Sequence, residues 1–360
     1  MTHSTRLLLP RILTHPHAAA SLQPAEWDLL LRQARHAGLL GRLDALLDEC
    51  GLAERIPLQP RQHLEAARVV AQRLSEAVRW EVALIQKALA STGVPIILLK
   101  GGAYVMAKLP PARGRLFSDI DILVPRDRIN EVEAALMLHG WTSTHHDAYD
   151  QRYYRTWMHE LPPMQHIHRM TFIDVHHAIL PETAATRPDP GKLRAAARPI
   201  PGSAGLMTLA PVDMVLHSAC HLFHESETEH GLRDLMDIDA LLRHFGTSDD
   251  FWQELPERAK ELELLRPMSY ALRYAQRILD TPIPDAVMEK AQAGAPGPVR
   301  TAVMDFVFNR MLASPHPSCT DRWTTLARKA LYIRGHWLRM PPGLLARHLF
   351  HKALLSPKAE

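Results

Sequence analysis

Residues 94–124 read VPIILLKGGAYVMAKLPPARGRLFSDIDILV, and the run Ser118-Asp119-Ile120-Asp121-Ile122-Leu123-Val124 at its end decides the fold class. Its alternation is that of a β-strand, whose successive side chains point to opposite faces. Asp119 and Asp121 therefore share one face, with Ile120 and Ile122 on the other. Same-face positions on a strand lie roughly 6.5–7 Å apart. Two rotatable carboxylates at that spacing can converge on one divalent cation, or on two cations about 3.5–4 Å apart. The plain alternative is a half-exposed edge strand with two aspartates on its solvent side, although Asp is depleted in strands. Upstream, Pro95-Ile96-Ile97-Leu98-Leu99 is a short apolar strand that ends in Lys100-Gly101-Gly102. Glycines directly after a strand let backbone amides approach phosphate oxygens and open a helix, whose N-terminus favours anions. Lys100 adds a mobile positive charge there.

Taken together, LLKGGAYVMAKLPPARGRLFSDIDILVP resembles the core signature of the DNA polymerase β-like nucleotidyltransferase superfamily, and within it the bacterial uncharacterised nucleotidyltransferase family. That group carries a Lys-Gly strand end, a helix, Ser-Asp-x-Asp on a strand, and a third carboxylate on a later strand. Phe172-Ile173-Asp174-Val175-His176 supplies the third carboxylate. Carried onto these positions, the resemblance implies metal binding by Asp119, Asp121 and Asp174, and triphosphate contact near Gly101, Gly102 and Ser118. The implied metal is Mg²⁺ or Mn²⁺. Sixteen residues separate Gly102 from Asp119, more than in the usual superfamily element. Gly114-Arg115, nearer the aspartates, is therefore a second candidate for phosphate contact. Arg115 joins Lys100 in the expected nucleotide-binding set.

The resemblance also implies a His-bearing helix followed by Leu232-Arg233-Asp234-Leu235-Met236-Asp237-Ile238, with His221, Arg233 and Asp237 near the nucleotide or acceptor. The plain alternative makes Arg233 and Asp237 an i, i+4 surface ion pair, worth roughly 0.3–0.5 kcal/mol. His217, His221 and His224 share one helical face, but no Cys or carboxylate cluster accompanies them, so a zinc site is not expected.

The rest of the chain sets bounds. Its 360 residues suffice for two or three domains. At 46% hydrophobic and 22% charged, the composition is ordinary for a soluble globular protein. Cys50, Cys220 and Cys319 are too few and too widely spaced for a disulfide framework or a Cys-rich zinc module, which fits a reducing cytoplasm. The short apolar run near the N-terminus is broken by Pro10 and Arg11, so neither a signal peptide nor a membrane span is expected.

The expected architecture is α/β (α+β), with a small mixed-sheet nucleotidyltransferase core at 92–180. An N-terminal helical region at 1–91, a Pro- and Gly-rich connection at 181–207 and a C-terminal helical domain at 208–360 surround it. A helix from Gln62 to Leu89 is predicted, with Val69, Val70, Leu74 and Ile85 on its apolar stripe. Strands are predicted at Trp141–His146 and Tyr153–His159, the latter opening a hairpin that runs to Thr171. Helical patterns broken by prolines fill the C-terminal region, where Arg328, Lys329, Arg334, Arg339, Arg347 and Lys352 go almost unopposed by acids.

The expected activity is metal-dependent nucleotidyl transfer from an NTP such as ATP to a hydroxyl of a small-molecule or peptide acceptor. A net charge of +3 and 6% aromatic residues argue against a long nucleic acid as acceptor. A toxin-like enzyme acting on tRNA or protein is the rival reading, and a catalytically silent nucleotide-binding regulator is another. A His-dependent metal hydrolase would rest on His145-His146-Asp147 and the 217–224 helix alone.

Overall fold

In the computed structural model, which describes residues 7–145, 147–224, 229–343 and 345–346, the Asp-x-Asp strand lies inside a seven-stranded mixed sheet. The strands are β1 (Ile96–Leu98), β2 (Asp119–Leu123), β3 (Trp141–Ser143), β4 (Met164–His166), β5 (Phe172–His176), β6 (Arg198–Pro199) and β7 (Leu206–Thr208). Their order is β3-β4-β5-β2-β1-β7-β6. β2 pairs parallel with β5 and antiparallel with β1, while β7 runs parallel to β1 on its far side. Residues 181–207, expected to be a connection, thus contain the helix Pro190–Ala196 and two strands that extend the sheet.

Alternation along β1 and β2 divides the core into two layers. Ile96, Leu98, Ile120 and Ile122 pack with Val78, Val82 and Ile85 of the long helix Leu58–Leu89 and with Val132 and Leu136 of the helix Ile129–Leu138. Ile97, Leu99 and Leu123 face the other way, into a cluster shared with the helices Pro211–His224, Gly231–Phe245 and Leu265–Leu279. Asp119 and Asp121 belong to this second face by the period-two rule. The site therefore opens between the sheet and the C-terminal helices.

Three expectations about elements change. The long helix begins at Leu58, so Pro60 sits in its first turn, where a missing amide costs nothing. Its buried stripe is Leu64, Ala71, Val78, Val82, Ile85 and Leu89, whereas Val69 and Val70 are 54% and 52% exposed. Tyr153–His159 is not a strand: the helix Ala148–Trp157 takes up most of it, and the hairpin is β4 with β5. The β-forming aromatics suggested extended chain, but Tyr149, Tyr153 and Trp157 recur every four residues, and their rings meet on the helix surface (Tyr153–Trp157 centroids 6.0 Å). β3 stops at Ser143, and His146 lies outside the described residues. Among the described residues no helix is long and apolar enough to cross a membrane.

The C-terminal helices are fastened by Asp305 of the helix Pro298–Met311. It accepts hydrogen bonds from Arg273 Nε (2.9 Å), Tyr274 Oη (2.9 Å) and Arg277 Nη1 (2.8 Å). These donors, Arg273 first, hold its carboxyl down at about 2 against a smaller opposing effect of burial. A carboxylate depressed in the folded state contributes stability that is present above its unfolded value of roughly 3.9 and is lost as pH falls through the folded value. Asp305→Asn is therefore expected to lower the melting temperature at pH 6, with the gap to the parent closing towards pH 2.5. A gap constant over that range in thermal melts would contradict this assignment.

Candidate active site

β2 and β5 pair in register with Asp121 directly opposite Asp174 and Asp119 opposite Phe172. This register brings three carboxylates together, and ligand oxygens of Asp119, Asp121 and Asp174 all lie within 4.8 Å of one another. Asp119 sits at the start of β2 and accepts a hydrogen bond from Ser118 Oγ at 3.0 Å. Asp121 is buried. One of its oxygens, Oδ1, is engaged by His176 Nε2 at 3.1 Å and by Lys100 Nζ at 3.9 Å.

Burial alone would raise the Asp121 carboxyl. Lys100 and the hydrogen bond from His176 outweigh it, and the group is held well below the usual carboxylate range. Asp174 goes the other way. Burial, and then the charge of Asp121, push its carboxyl up to about 8. Its Oδ1 is buried and makes no hydrogen bond among the described residues. Buried carboxylate oxygens are ordinarily paired with donors or metals. Three hard oxygen donors, one of them otherwise unsatisfied, fit a divalent cation such as Mg²⁺ or Mn²⁺.

His176, which the sequence reading passed over, links this triad to a further acid. Its Nδ1 lies 3.2 Å from Glu160 Oε2, so the imidazole spans Glu160 and Asp121. Burial disfavours its charged form, but Glu160 and then Asp121 outweigh that and raise it to about 9. The signal was legible: His176 is two residues beyond Asp174 on the same strand face.

Lys100 is the first residue of the seven-residue helix Lys100–Met106 and has φ +39°, a conformation that only close packing maintains in a non-glycine residue. The mobile positive charge expected from the sequence faces Asp121, with Lys100 Nζ 3.9 Å from its Oδ1. The backbone N–H of Leu99 donates to Asp121 O at 3.0 Å and fixes the strand end beside β2. The two glycines part ways. Gly101 lines the cavity against Arg115 and Phe117, whereas Gly102 packs on Ile120 beneath the helix.

That cavity, about 190 Å³, is bounded by Lys100, Gly101, Ser118, Asp119 and Asp121 on the sheet side and by His221, Arg233 and Asp237 on the helical side. Tyr104, Ser218, His230 and Asp234 complete its wall, and the Tyr104 and Ser218 hydroxyls lie 2.8 Å apart. Arg233 and Asp237 do not pair with each other. Arg233 bonds Asp234 at 2.9 Å, and Asp237 is held by two other arginines. Arg115 Nε donates to Asp237 Oδ2 at 2.8 Å, and Arg42 Nη2 donates to Asp237 Oδ1 at 2.9 Å and to Pro111 O at 2.6 Å. The i, i+4 reading failed because Asp237 points into the core, 3% exposed, where only long-range partners reach it.

Arg42 and Arg115 come together because their preceding residues, Gly41 and Gly114, touch backbone to backbone. A Cβ on Gly114, which has φ +66°, would sit 2.2 Å from Gly41 O. Gly114 is thus a packing residue, and Arg115 alone of that pair reaches the cavity. No spacing rule could have found Arg42, which lies 195 residues from its partner Asp237.

Of the helix histidines, His221 lines the cavity, and His217 and His224 are buried. Burial, and then Lys100, hold His217 well below its ordinary value. Among the described residues, the sets of three or more metal-type ligands within 4.8 Å are the Asp triad and His159–Glu160–His176, and neither includes these histidines.

A profile of the family described as uncharacterised nucleotidyltransferase matches residues 23–280. Searches of curated proteins and of solved structures find no match.

Proposed function

The chain belongs to the uncharacterised nucleotidyltransferase family and is a transferase of that kind; from its site we propose that it moves a nucleotidyl group from an NTP to a hydroxyl of a small-molecule or peptide acceptor. The observation that carries this reading is the convergence of Asp119, Asp121 and Asp174 within 4.8 Å. Those three residues would hold Mg²⁺ or Mn²⁺, which when bound supplies charge neutralisation for the triphosphate and the leaving pyrophosphate.

The remaining groups act through their own chemistry. Lys100, Arg115 and Ser118 contact the phosphates at the floor of the cavity, with Gly101 giving them room. Asp237 and Arg42 are positioning residues that fix the Arg115 guanidinium. Asp174 either completes the ligand set or accepts the proton of the attacking hydroxyl. His221 and Arg233 sit on the helical wall, where an acceptor would approach. The core is proposed to run from 92 to 208, because β7 completes the sheet beside β1. A cytoplasmic setting is proposed because Cys50, Cys220 and Cys319 are few and widely spaced in the sequence, which does not suggest a disulfide framework.

The test is an acceptor search: each α-labelled NTP is incubated with the protein, Mg²⁺ and separate pools of small molecules, peptides and tRNA. Label is expected in the small-molecule or peptide pool. Label in tRNA would move the acceptor to RNA. Arg334, one of the bases that the sequence leaves unopposed by acids, is no probe for such binding, since it is half-buried, donates Nη1 to Phe223 O at 2.6 Å and lies over Tyr270. Arg347 and Lys352 lie outside the described residues.

Lys100→Ala is expected to raise KM for the NTP about ten- to a hundredfold, the value of a charge-assisted phosphate contact, with a smaller fall in kcat. An unchanged KM would confine Lys100 to balancing Asp121.

A further inference from the structure

The last two helices, Pro298–Met311 and Thr324–Arg339, lie beyond the end of the family match at residue 280. They carry an apolar surface that the nucleotidyl-transfer reading does not use. On the second helix, Leu326 (54% exposed), Ile333 (63%) and Trp337 (61%) recur at spacings of seven and four and form one stripe. On the first, Val303 and Phe306 are exposed at a spacing of three, and the Phe306 ring meets Trp323 with centroids 6.3 Å apart, which joins the two rows. Large apolar residues exposed singly are ordinary, but a contiguous row marks an interaction site.

The charge around this row has one sign. Residues 298–343 contain seven Lys or Arg against two Asp or Glu, a net of +5. The whole chain is +3, so the rest of it carries a net of −2. The two acids that lie within the helical pair are already committed. Asp305 is bound by Arg273 and Arg277, and Asp321 by Arg310 at 2.8 Å. Arg300, Arg322 and Lys329 therefore set the field around the stripe.

We infer that this face docks on an anionic phospholipid bilayer surface. Trp and aliphatic side chains in a row, flanked by Lys and Arg, are the composition of a helix that lies in the membrane interface plane. Cytoplasmic leaflets bear the opposite charge. Two copies of this chain meeting through the face would set like charges against each other. A nucleic acid would leave Val303, Leu326 and Ile333 without a complementary group. Docking here would hold the active site next to a bilayer.

The test uses the full chain and vesicles of phosphatidylcholine with or without phosphatidylglycerol, read by co-sedimentation and tryptophan fluorescence. Binding that requires phosphatidylglycerol and weakens with salt is expected. Arg322→Glu with Lys329→Glu should weaken it roughly 25-fold or more, from about 1 kcal/mol per basic residue near the surface. Ile333→Ser with Trp337→Ser should abolish it, while circular dichroism and NTP turnover stay at the parental level. Absence of vesicle binding, equal binding to neutral vesicles, or binding untouched by both variants would overturn the inference. So would displacement of the vesicles by tRNA, or a dimer in size-exclusion chromatography that the Ile333/Trp337 variant dissolves.

Discussion

Replacing Asp119 and Asp121 together by asparagine is expected to lower Mg²⁺-dependent NTP turnover by about 10³-fold or more, the scale of losing preorganised charge stabilisation at a reacting phosphate. Each change removes one negative charge from the ligand set at nearly constant size. The two positions are not equivalent for folding. Asp119 is partly exposed and bonded to Ser118, so Asp119→Asn should leave the melting temperature close to the parent's. Asp121 is buried between His176 and Lys100, and an Asn there keeps an oxygen for His176 but loses both charge pairings. Turnover by the double variant at the parental rate, with circular dichroism unchanged, would remove these residues from the chemistry.

Asp237→Ala should give the largest stability loss of any single change at the site. It strands Arg42 and Arg115, whose side chains are only 10% and 11% exposed, without their common counter-charge. Breaking a buried pair by deleting one partner costs about 3–5 kcal/mol, because the remaining charge is desolvated and uncompensated. For a chain of this size that corresponds to a melting temperature lower by roughly 4–7 °C. KM for the NTP should rise as well, since the Arg115 guanidinium loses its anchor. Arg42→Met combined with Asp237→Leu should recover only the part of the loss that comes from Arg42, because Arg115 still lacks its counter-charge, and should leave the KM raised. An Asp237→Ala protein that melts with the parent would show that the three groups do not act as a unit.

Local pattern made the site's centre readable and left its supports hidden. Period two placed Asp119 and Asp121 on one face, and the apolar-Asp-apolar run identified β5 as a strand. That reading could not supply the register that sets Asp174 opposite Asp121, because pairing between β2 and β5 is a long-range choice. The Arg42–Asp237–Arg115 cluster was invisible for the same reason: each member looks like a surface residue until Gly41 and Gly114 bring two distant backbones into contact. The helix Ala148–Trp157 shows propensity overridden, since its Tyr and Trp favour strands in isolation but recur at a helical period. The shifted stripe on Leu58–Leu89 has another origin. A helix of 32 residues offers apolar positions on several faces, and only the layer that covers it decides which are buried.

The central claim is that the bond broken lies between the α- and β-phosphorus of the NTP. It is tested most directly by running the reaction in parallel with α-labelled and γ-labelled NTP in the presence of Mg²⁺. The account predicts that the α label becomes attached to an acceptor in step with release of the γ label as pyrophosphate, and that both signals disappear in the Asp119→Asn variant. Transfer of the γ label to the acceptor, or its release as inorganic phosphate with no α-labelled product, would contradict it.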